Sequence, residues 1–504
     1  MMKPLTRVAA LMAASFSAGL ILSVSIAASA DDNDPHKLPL EDIELFADVF
    51  GSIKNYYVDE VSDSKLIENA IKGMVEGLDP HSSYLDFKAF QDMEESTMGE
   101  FGGLGLEVTK DPSGVRVISP IDDTPAAKAG VMAGDLIIKI DDKSTADLSL
   151  NENVKLMRGK PKTSIVLTIA RKGVAKPVVI KLQRDIIKIR SVKSKELADG
   201  LGYIRISQFQ ERTASDVAKA IEDLNAKKHL KGLVLDLRNN PGGLLNAAIG
   251  VSAAFLPKDE LVVSTRGRNA EDERKFTANR ADYATSKGYK DTIATLPAIA
   301  KSVPIVVLIN SASASASEIV AGALQDHKRA TIMGTRSFGK GSIQTIMPLR
   351  MRKDETTGIK ITTARYYTPS GRTIQAKGIT PDIAVDDTPE GNYPSFTVRE
   401  SDLAHHIEVE DKDAKGKKTE KKTDDTDFDM INDEDVKMPT LRYLFGDEKD
   451  FPLQQAQAKL LGKKVITHEE TQAQLKAQRE KEKAEKAKKD KAQQKKSGKT
   501  EGNK

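Results

Sequence analysis

Between about residues 184 and 390, short apolar runs alternate with amphipathic stretches, and this alternation constrains the fold more than any other feature of the chain. Gly202-Tyr203-Ile204-Arg205-Ile206 reads as a strand and precedes a helical stripe at Val217, Ile221 and Leu224. Further strands are expected at 232–238, 260–265 and 303–309. The run Gly232-Leu233-Val234-Leu235-Asp236-Leu237-Arg238 has the pattern of a buried strand. It enters the turn Asn239-Asn240-Pro241-Gly242-Gly243, and a helix is expected from Leu244 to Phe255. Strands and helices joined by such short turns make an α/β unit. Residues 267–300 are polar and longer than a plain connection, so they read as a lid or insertion. Ile359 to Tyr367, followed by Pro369-Ser370-Gly371-Arg372-Thr373-Ile374, reads as a β-hairpin.

At the mouth of the 303–309 strand lies Asn310-Ser311-Ala312-Ser313-Ala314-Ser315-Ala316-Ser317-Glu318. Ser315 stands 25 positions before Lys340, which is flanked by glycines in Ser337-Phe338-Gly339-Lys340-Gly341. A helix from Glu318 to about His327 and a strand from Ala330 to Met333 would return the lysine to the serine. A serine nucleophile needs a base, and lysine serves near neutral pH only when desolvated or set beside another cation. A glycine-hinged loop under Phe338 and Ile343 suits that requirement. In an extended segment Lys340, Ser342 and Gln344 point the same way, which puts Gln344 where it can orient the amine. The seven histidines fall mostly in segments that read as solvated, and His327 belongs at the far end of the helix, so a Ser-His-Asp triad is poorly supplied. Two blander readings stand beside this one. Ser315 and Glu318 fit an S-x-x-E capping box, in which the serine only caps a helix. Gly334 to Gly341 approaches a phosphate-binding loop, but position 341 is glycine and a strand pattern follows where that loop needs a helix.

The serine-rich run and its lysine resemble the signature of the carboxy-terminal processing peptidases, a family of serine-lysine endopeptidases. The resemblance implies a crotonase-like αββ protease core. It also implies that an amide of Gly242 or Gly243, together with that of Ala316, holds the oxyanion. Amides at a strand-to-helix turn do suit an anion, although Pro-Gly-Gly also makes a plain turn.

Upstream, Glu100-Phe101-Gly102-Gly103-Leu104-Gly105-Leu106-Glu107-Val108 opens a second module. Val115-Arg116-Val117-Ile118, Thr124-Pro125-Ala126-Ala127-Lys128-Ala129-Gly130 and Gly134-Asp135-Leu136-Ile137-Ile138-Lys139-Ile140-Asp141 follow as strand, short helix and strand. This order resembles a PDZ domain of the kind inserted in processing proteases. Amides of Gly103, Leu104, Gly105 and Leu106 would cradle a terminal carboxylate while the sheet edge takes the peptide as an added strand. Arg158, near the module's end, is a candidate for coupling it to the active site.

With 504 residues, 39% of them hydrophobic, the chain has room for two or three folded domains plus tails. A net charge of +3 gives no reason to expect nucleic acid as a partner. Cysteine is absent, so disulfides, thiolate metal sites and a cysteine nucleophile are excluded. No His/Asp/Glu cluster has metal-ligand spacing, and neither a metal nor a cofactor is expected. Lys3 and Arg7, an apolar stretch from Val8 to Ile26 and Ala28-Ser29-Ala30 read as a cleaved signal peptide, with a retained membrane anchor as the alternative. The export destination expected of such a chain is the periplasm. Leu45, Phe46, Val49, Phe50, Ile53 and Tyr57, then Ile67, Ile71, Met74 and Leu78, form two amphipathic stripes. The family resemblance implies self-association through this region. From about 397 to 436 the chain reads as a charged linker, and residues 471–504 carry twelve Lys/Arg against five Asp/Glu.

The expected architecture is therefore a multidomain α/β protein: signal peptide 1–30, helical region 31–87, PDZ domain 88–182, serine protease core 183–390, and charged linker and tail 391–504. The expected function is an exported endopeptidase that recognises unfolded or C-terminally exposed proteins and forms homo-oligomers, with an adaptor protein as a further partner. The competing reading is a catalytically inactive PDZ scaffold.

Overall fold

The computed structural model describes residues 39–121, 123–227, 229–284, 290–349, 355–392, 398–408, 445–478 and 480–481. The expected signal peptide, most of the charged linker and the basic end of the tail lie outside them. The chain divides into two compact units, residues 1–73 and 74–504. In the first, α1 (Leu40–Tyr56) buries no residue, and Leu45, Phe46, Val49 and Ile53 of its apolar stripe are all exposed. Helix α2 (Asp63–Glu76) follows and runs across the boundary.

The second unit opens with β1 (Ser83–Leu85) and α3 (Phe87–Met98), whose N-cap Asp86 accepts the Ala89 amide hydrogen and whose C-cap Gly99 is left-handed. Strand β2 (Glu100–Gly103) then leads into an antiparallel sheet. That sheet contains β3 (Leu106–Asp111), β4 (Gly114–Pro120), β5 (Leu136–Ile140), β6 (Lys143–Ser144), β7 (Ser164–Ala170) and β8 (Val178–Gln183). Short α4 (Pro125–Lys128) and α5 (Leu150–Met157) complete the module. Its core is formed by period-2 apolar positions, Val115 and Val117, Ile137, then Ile165, Leu167 and Ile169. Strand β3 stands at the edge of the sheet, and β9 (Asp185–Lys188) returns the chain by pairing with β2.

The α/β core follows. Its main sheet has the order β10-β11-β12-β15-β16-β19, namely Val192–Glu196, Leu201–Ile206, Gly232–Asp236, Ile305–Ile309, Thr331–Gly334 and Ile383–Ala384. All neighbours are parallel except β10 with β11. Helices α6 (Thr213–Lys227), α7 (Leu245–Phe255) and α10 (Ala316–Asp326) connect the strands and cover one face, where Leu233, Leu235, Val307 and Ile309 are buried. On the other face Val234, Val306 and Leu308 pack against Phe451, Leu453 and Ala456 of α11 (Phe451–Leu460). Both faces are covered, which is why β12 and β15 read as continuous apolar runs.

A second, antiparallel sheet contains β13 (Leu261–Arg266), β14 (Arg274–Thr277), β17 (Ser342–Pro348) and β18 (Gly358–Tyr367). One expectation changes here. The described residues of 267–300 are a packed insertion and not a free lid: β14 pairs with β13, α8 (Arg280–Tyr283) and α9 (Ile299–Ser302) lie against α7, and Tyr283 and Ile293 are buried in the core. The hairpin expected after β18 is short: Tyr367 bridges Thr373 antiparallel and Thr368 N donates to Arg372 O at 3.0 Å, while the rest of β18 pairs with β17 on one edge and with β1 and β13 on the other.

Candidate active site

The carboxyl ends of β12, β15 and β16 carry three adjacent loops, the position where open α/β sheets present their sites. Ser315 sits on the second, between β15 and α10, with φ 54° and ψ −113°. Such a backbone is costly for a residue with a Cβ and persists only where its surroundings enforce it. Here they do. Ala314 donates its amide to Asn240 O at 3.0 Å, and Ser317 Oγ donates to the same carbonyl at 2.9 Å. Ser313 Oγ donates to Leu237 O at 2.8 Å and accepts from Asn310 N at 2.9 Å. Ser313 and Ser317 are buried with their hydroxyls committed to the backbone, whereas Ser315 lines a cavity of about 410 Å³.

Lys340 lines the same cavity from the third loop, and three buried side chains fix its backbone. Glu318 accepts from four donors: Ser315 N at 2.7 Å, Lys340 N at 3.0 Å, Gly339 N at 2.7 Å and Ser337 Oγ at 2.6 Å. The Tyr366 hydroxyl donates to Lys340 O and lies against the Ser315 hydroxyl. Gln375 Oε1 accepts from Gly341 N at 2.8 Å. The glutamate expected only as half of a capping box thus ties the serine turn to the lysine loop. Burial pushes its pKa up to about 7 in spite of the four donors.

Burial first, and the Lys360 charge after it, lower the Lys340 pKa to about 8 against the opposing charges of Glu400, Asp79 and Glu318. Among the described residues no hydrogen bond joins Lys340 Nζ to Ser315 Oγ. Gln344, on β17, also lines the cavity; its Nε2 donates to Ser342 Oγ and Thr362 Oγ1, both at 3.0 Å.

The first loop brings the glycine turn to the serine. A Cβ on Gly242 would lie 2.8 Å from Ser315 Cβ and 2.9 Å from Ala316 N. Gly242 N, however, donates to Asn240 Oδ1 at 2.9 Å, so that amide is already committed. Gly243 has φ 143°, lines the cavity, and has no acceptor for its amide among the described residues. Ala316 N, at the first turn of α10, likewise has none. Of the two glycines, Gly243 is the one with an amide left to donate. The remaining lining is largely apolar: Phe209, Leu244, Leu245, Ile319, Ile343 and Ile346.

In the upstream module, Leu104 O and Gly105 O accept from Ala126 N and Ile121 N, which fixes the loop between β2 and β3. The amides of Leu104 and Gly105 have no acceptor among the described residues. Gly103 ends β2 opposite Asp185, and Leu106 opens β3 and packs on the module's core with Val108 and Val154 of α5. Arg158 caps the end of α5, pairs with Glu95 of α3 at 3.0 Å and lies 4.5 Å over the Phe101 ring.

Sequence reasoning missed Tyr366, Gln375, Glu400 and His81. Polar residues in an alternating strand and in loops give no local sign of burial. His81, expected in a solvated segment, is instead held 2.7 Å from the fully buried Glu400. No group of residues that could hold a metal occurs among the described residues.

Comparison with known proteins shows the family to which the chain belongs. The family description "Peptidase family S41" matches residues 200–385, "PDZ domain" matches 102–182, and "Activating protease CtpB N-terminal domain" matches 14–89. The chain is 50% identical over 408 residues to a carboxy-terminal-processing protease of Bartonella bacilliformis, covering 80% of this chain and 89% of that one. It is 33% identical to carboxy-terminal processing protease CtpA of Bacillus subtilis, over 72% of this chain and 74% of that one. Among solved structures, a photosystem II D1 C-terminal processing protease is 30% identical, covering 68% of this chain and 92% of its own, with a TM-score of 0.37.

Proposed function

We propose a serine-lysine mechanism for this chain, which belongs to the carboxy-terminal processing proteases of peptidase family S41 and carries a PDZ domain. The observation that carries the proposal is a half-buried lysine and a serine on a strained turn lining one cavity with Gly243, whose amide, like that of Ala316 next to the serine, has no acceptor among the described residues. Neutral Lys340 takes the proton of Ser315 Oγ as that oxygen bonds to the scissile carbonyl carbon. The Gly243 and Ala316 amides receive the charge that develops on the carbonyl oxygen. As the C–N bond breaks, the lysine proton passes to the leaving amine. Water then attacks the ester with Lys340 again as base, releasing the new C-terminal carboxylic acid and restoring Ser315. With its pKa near 8, about one-tenth of the lysine is neutral at pH 7, against roughly one in three thousand for a free side chain. Gln344 orients the amine through its Oε1, its nitrogen being held by Ser342 and Thr362.

The PDZ domain supplies substrate choice: a substrate's terminal carboxylate sits on the Leu104 and Gly105 amides while its last residues extend β3. The apolar cavity lining favours apolar side chains at the cleavage site. Residues 1–30 export the protein, and the exposed stripe of α1 joins a second copy in a homo-oligomer; an adaptor that delivers clients is compatible with the same PDZ edge. No helix among the described residues is long and apolar enough to cross a membrane.

The decisive experiment is hydrolysis of an unfolded protein with a free C-terminus by the parent and by Ser315→Ala. The variant should lose all turnover while its melting point moves by no more than a lost helix cap, about 0.5–2 kcal/mol. Turnover near the parent rate would make Ser315 a cap only.

A further inference from the structure

We propose that the buried Glu400 and Gln375, with the half-buried His81, form a chain of positioning residues that holds the backbone of the lysine loop. Gly341 N, next to Lys340, donates to Gln375 Oε1 at 2.8 Å. Gln375 Nε2 donates to Glu400 Oε1 at 2.9 Å and to Ile407 O at 3.2 Å. His81 Nε2 lies 2.7 Å from the other carboxylate oxygen, Glu400 Oε2. Glu400 also donates its own amide to Phe338 O at 3.2 Å, inside the lysine loop. Gln375 and Glu400 have no exposure to solvent.

The chemistry gives this chain one direction. An ionised carboxylate can only accept, so Glu400 turns the NH₂ end of Gln375 toward itself and leaves the amide oxygen facing Gly341. Burial pushes the Glu400 pKa up, but the bonds from His81 and Gln375 and the charges of His81 and Lys340 outweigh it and keep the group below the ordinary glutamate value. A neutral or displaced Glu400 would free Gln375 to rotate, and a rotated Gln375 would present a donor to a donor.

His81 is fixed in turn. Its amide and that of Ser82 donate to Asp79 Oδ1 at 2.8 and 3.0 Å, and Ser82 Oγ donates to Asp79 Oδ2 at 2.6 Å. Ser82 Oγ also accepts from Thr362 N at 3.1 Å, and the Thr362 hydroxyl holds Gln344. One turn, Asp79–Ser82, therefore supports the lysine loop through His81 and the glutamine through Thr362.

The inference rests on Lys340 being the base, and its tests separate the two ideas. The charged groups facing Lys340 are Lys360, Glu400, Asp79 and Glu318. Glu400→Gln preserves shape and removes one negative charge, so the rising limb of kcat/KM against pH should move to lower pH, by about half a unit or more. A limb at the parent position would overturn the proposal, since a purely structural residue has no means of moving it. His81→Ala is the second arm, because the side chain is partly exposed and its loss is tolerable for folding. It should lower kcat at least fivefold with KM within twofold, and His81→Gln, which can still donate to Glu400, should restore most of the loss. Parent kcat in His81→Ala, or a loss that His81→Gln does not recover, would overturn the chain; if Glu400→Gln does not fold, this arm decides alone. Lys340→Arg is assayed alongside: retained activity there refutes the base assignment itself, whereas an inactive Lys340→Arg with parent-like Glu400→Gln and His81→Ala refutes only the present inference.

Discussion

At the residue scale the site depends on one amine that is kept out of water. A lysine whose pKa is near 8 is mostly protonated at pH 7 and mostly neutral at pH 9, so activity should climb across that interval as the base form accumulates. Lys340→Arg keeps the positive charge and cannot lose its proton in this range, so turnover should vanish at every pH between 6 and about 10 with the circular dichroism spectrum unchanged. An active Lys340→Arg enzyme would remove the lysine from the chemistry. The lysine and its desolvation could be expected from its glycine flanks and from Phe338 and Ile343, but the side chains that hold its loop could not. The backbone of that loop is held by Tyr366, Glu318 and Gln375, each drawn in from a different element.

At the scale of elements, the turn after β12 is determined by close approach. A Cβ on Gly243 would lie 2.1 Å from Phe209 O, and its φ of 143° is unfavourable for any other residue. Gly243→Ala should therefore move the amide away from the developing oxyanion. The expected result is a kcat lower by about 100-fold with KM changed far less, read from steady-state kinetics on the unfolded substrate; an unchanged kcat would mean that the oxyanion is held elsewhere. The edge strand β3 makes a separate prediction. Amidating a substrate's C-terminus removes the charge that the Leu104 and Gly105 amides would meet, so affinity should fall. If the Arg158–Glu95 pair relays occupancy to the protease core, turnover should fall with it. Cleavage of one substrate in free-acid and amidated forms, by the intact enzyme and by Arg158→Ala, measures both effects. Equal rates for the two forms in the intact enzyme would reduce the PDZ domain to a tether.

At the scale of the whole molecule, a helix from the far C-terminal region completes the core. Asp450, the N-cap of α11, accepts two bonds from Arg238 at 2.9 and 2.6 Å. Arg238 also pairs with Asp236, whose carboxyl burial would raise but whose arginine neighbours, Arg238 first, hold down to about 2. Arg238 immediately precedes the Asn239–Gly243 turn, so the helix and the turn share one buried ion cluster. Asp450→Ala would strip a buried guanidinium of one of its two carboxylates and should cost about 3–5 kcal/mol. Thermal melting checks the loss. A shift within error would show that water or Asp236 alone compensates Arg238.

Local pattern determined much of this architecture. Continuous apolar runs marked β12 and β15, and the glycine turn and the serine run that follow them marked the starts of α7 and α10, to within a few residues. The same holds for the glycine turns, where the absence of a Cβ is itself the local signal. The family membership was legible for the same reason, since its motifs are contiguous. What joins Gly341 to Gln375, Glu400 and His81 spans 34, 25 and 319 positions of sequence separation in successive steps. No local pattern records such a contact. A buried glutamine and a solvated one are the same letter, and only the packing of β1, β17, β18 and the 398–408 segment around the lysine loop removes the water that would otherwise satisfy them.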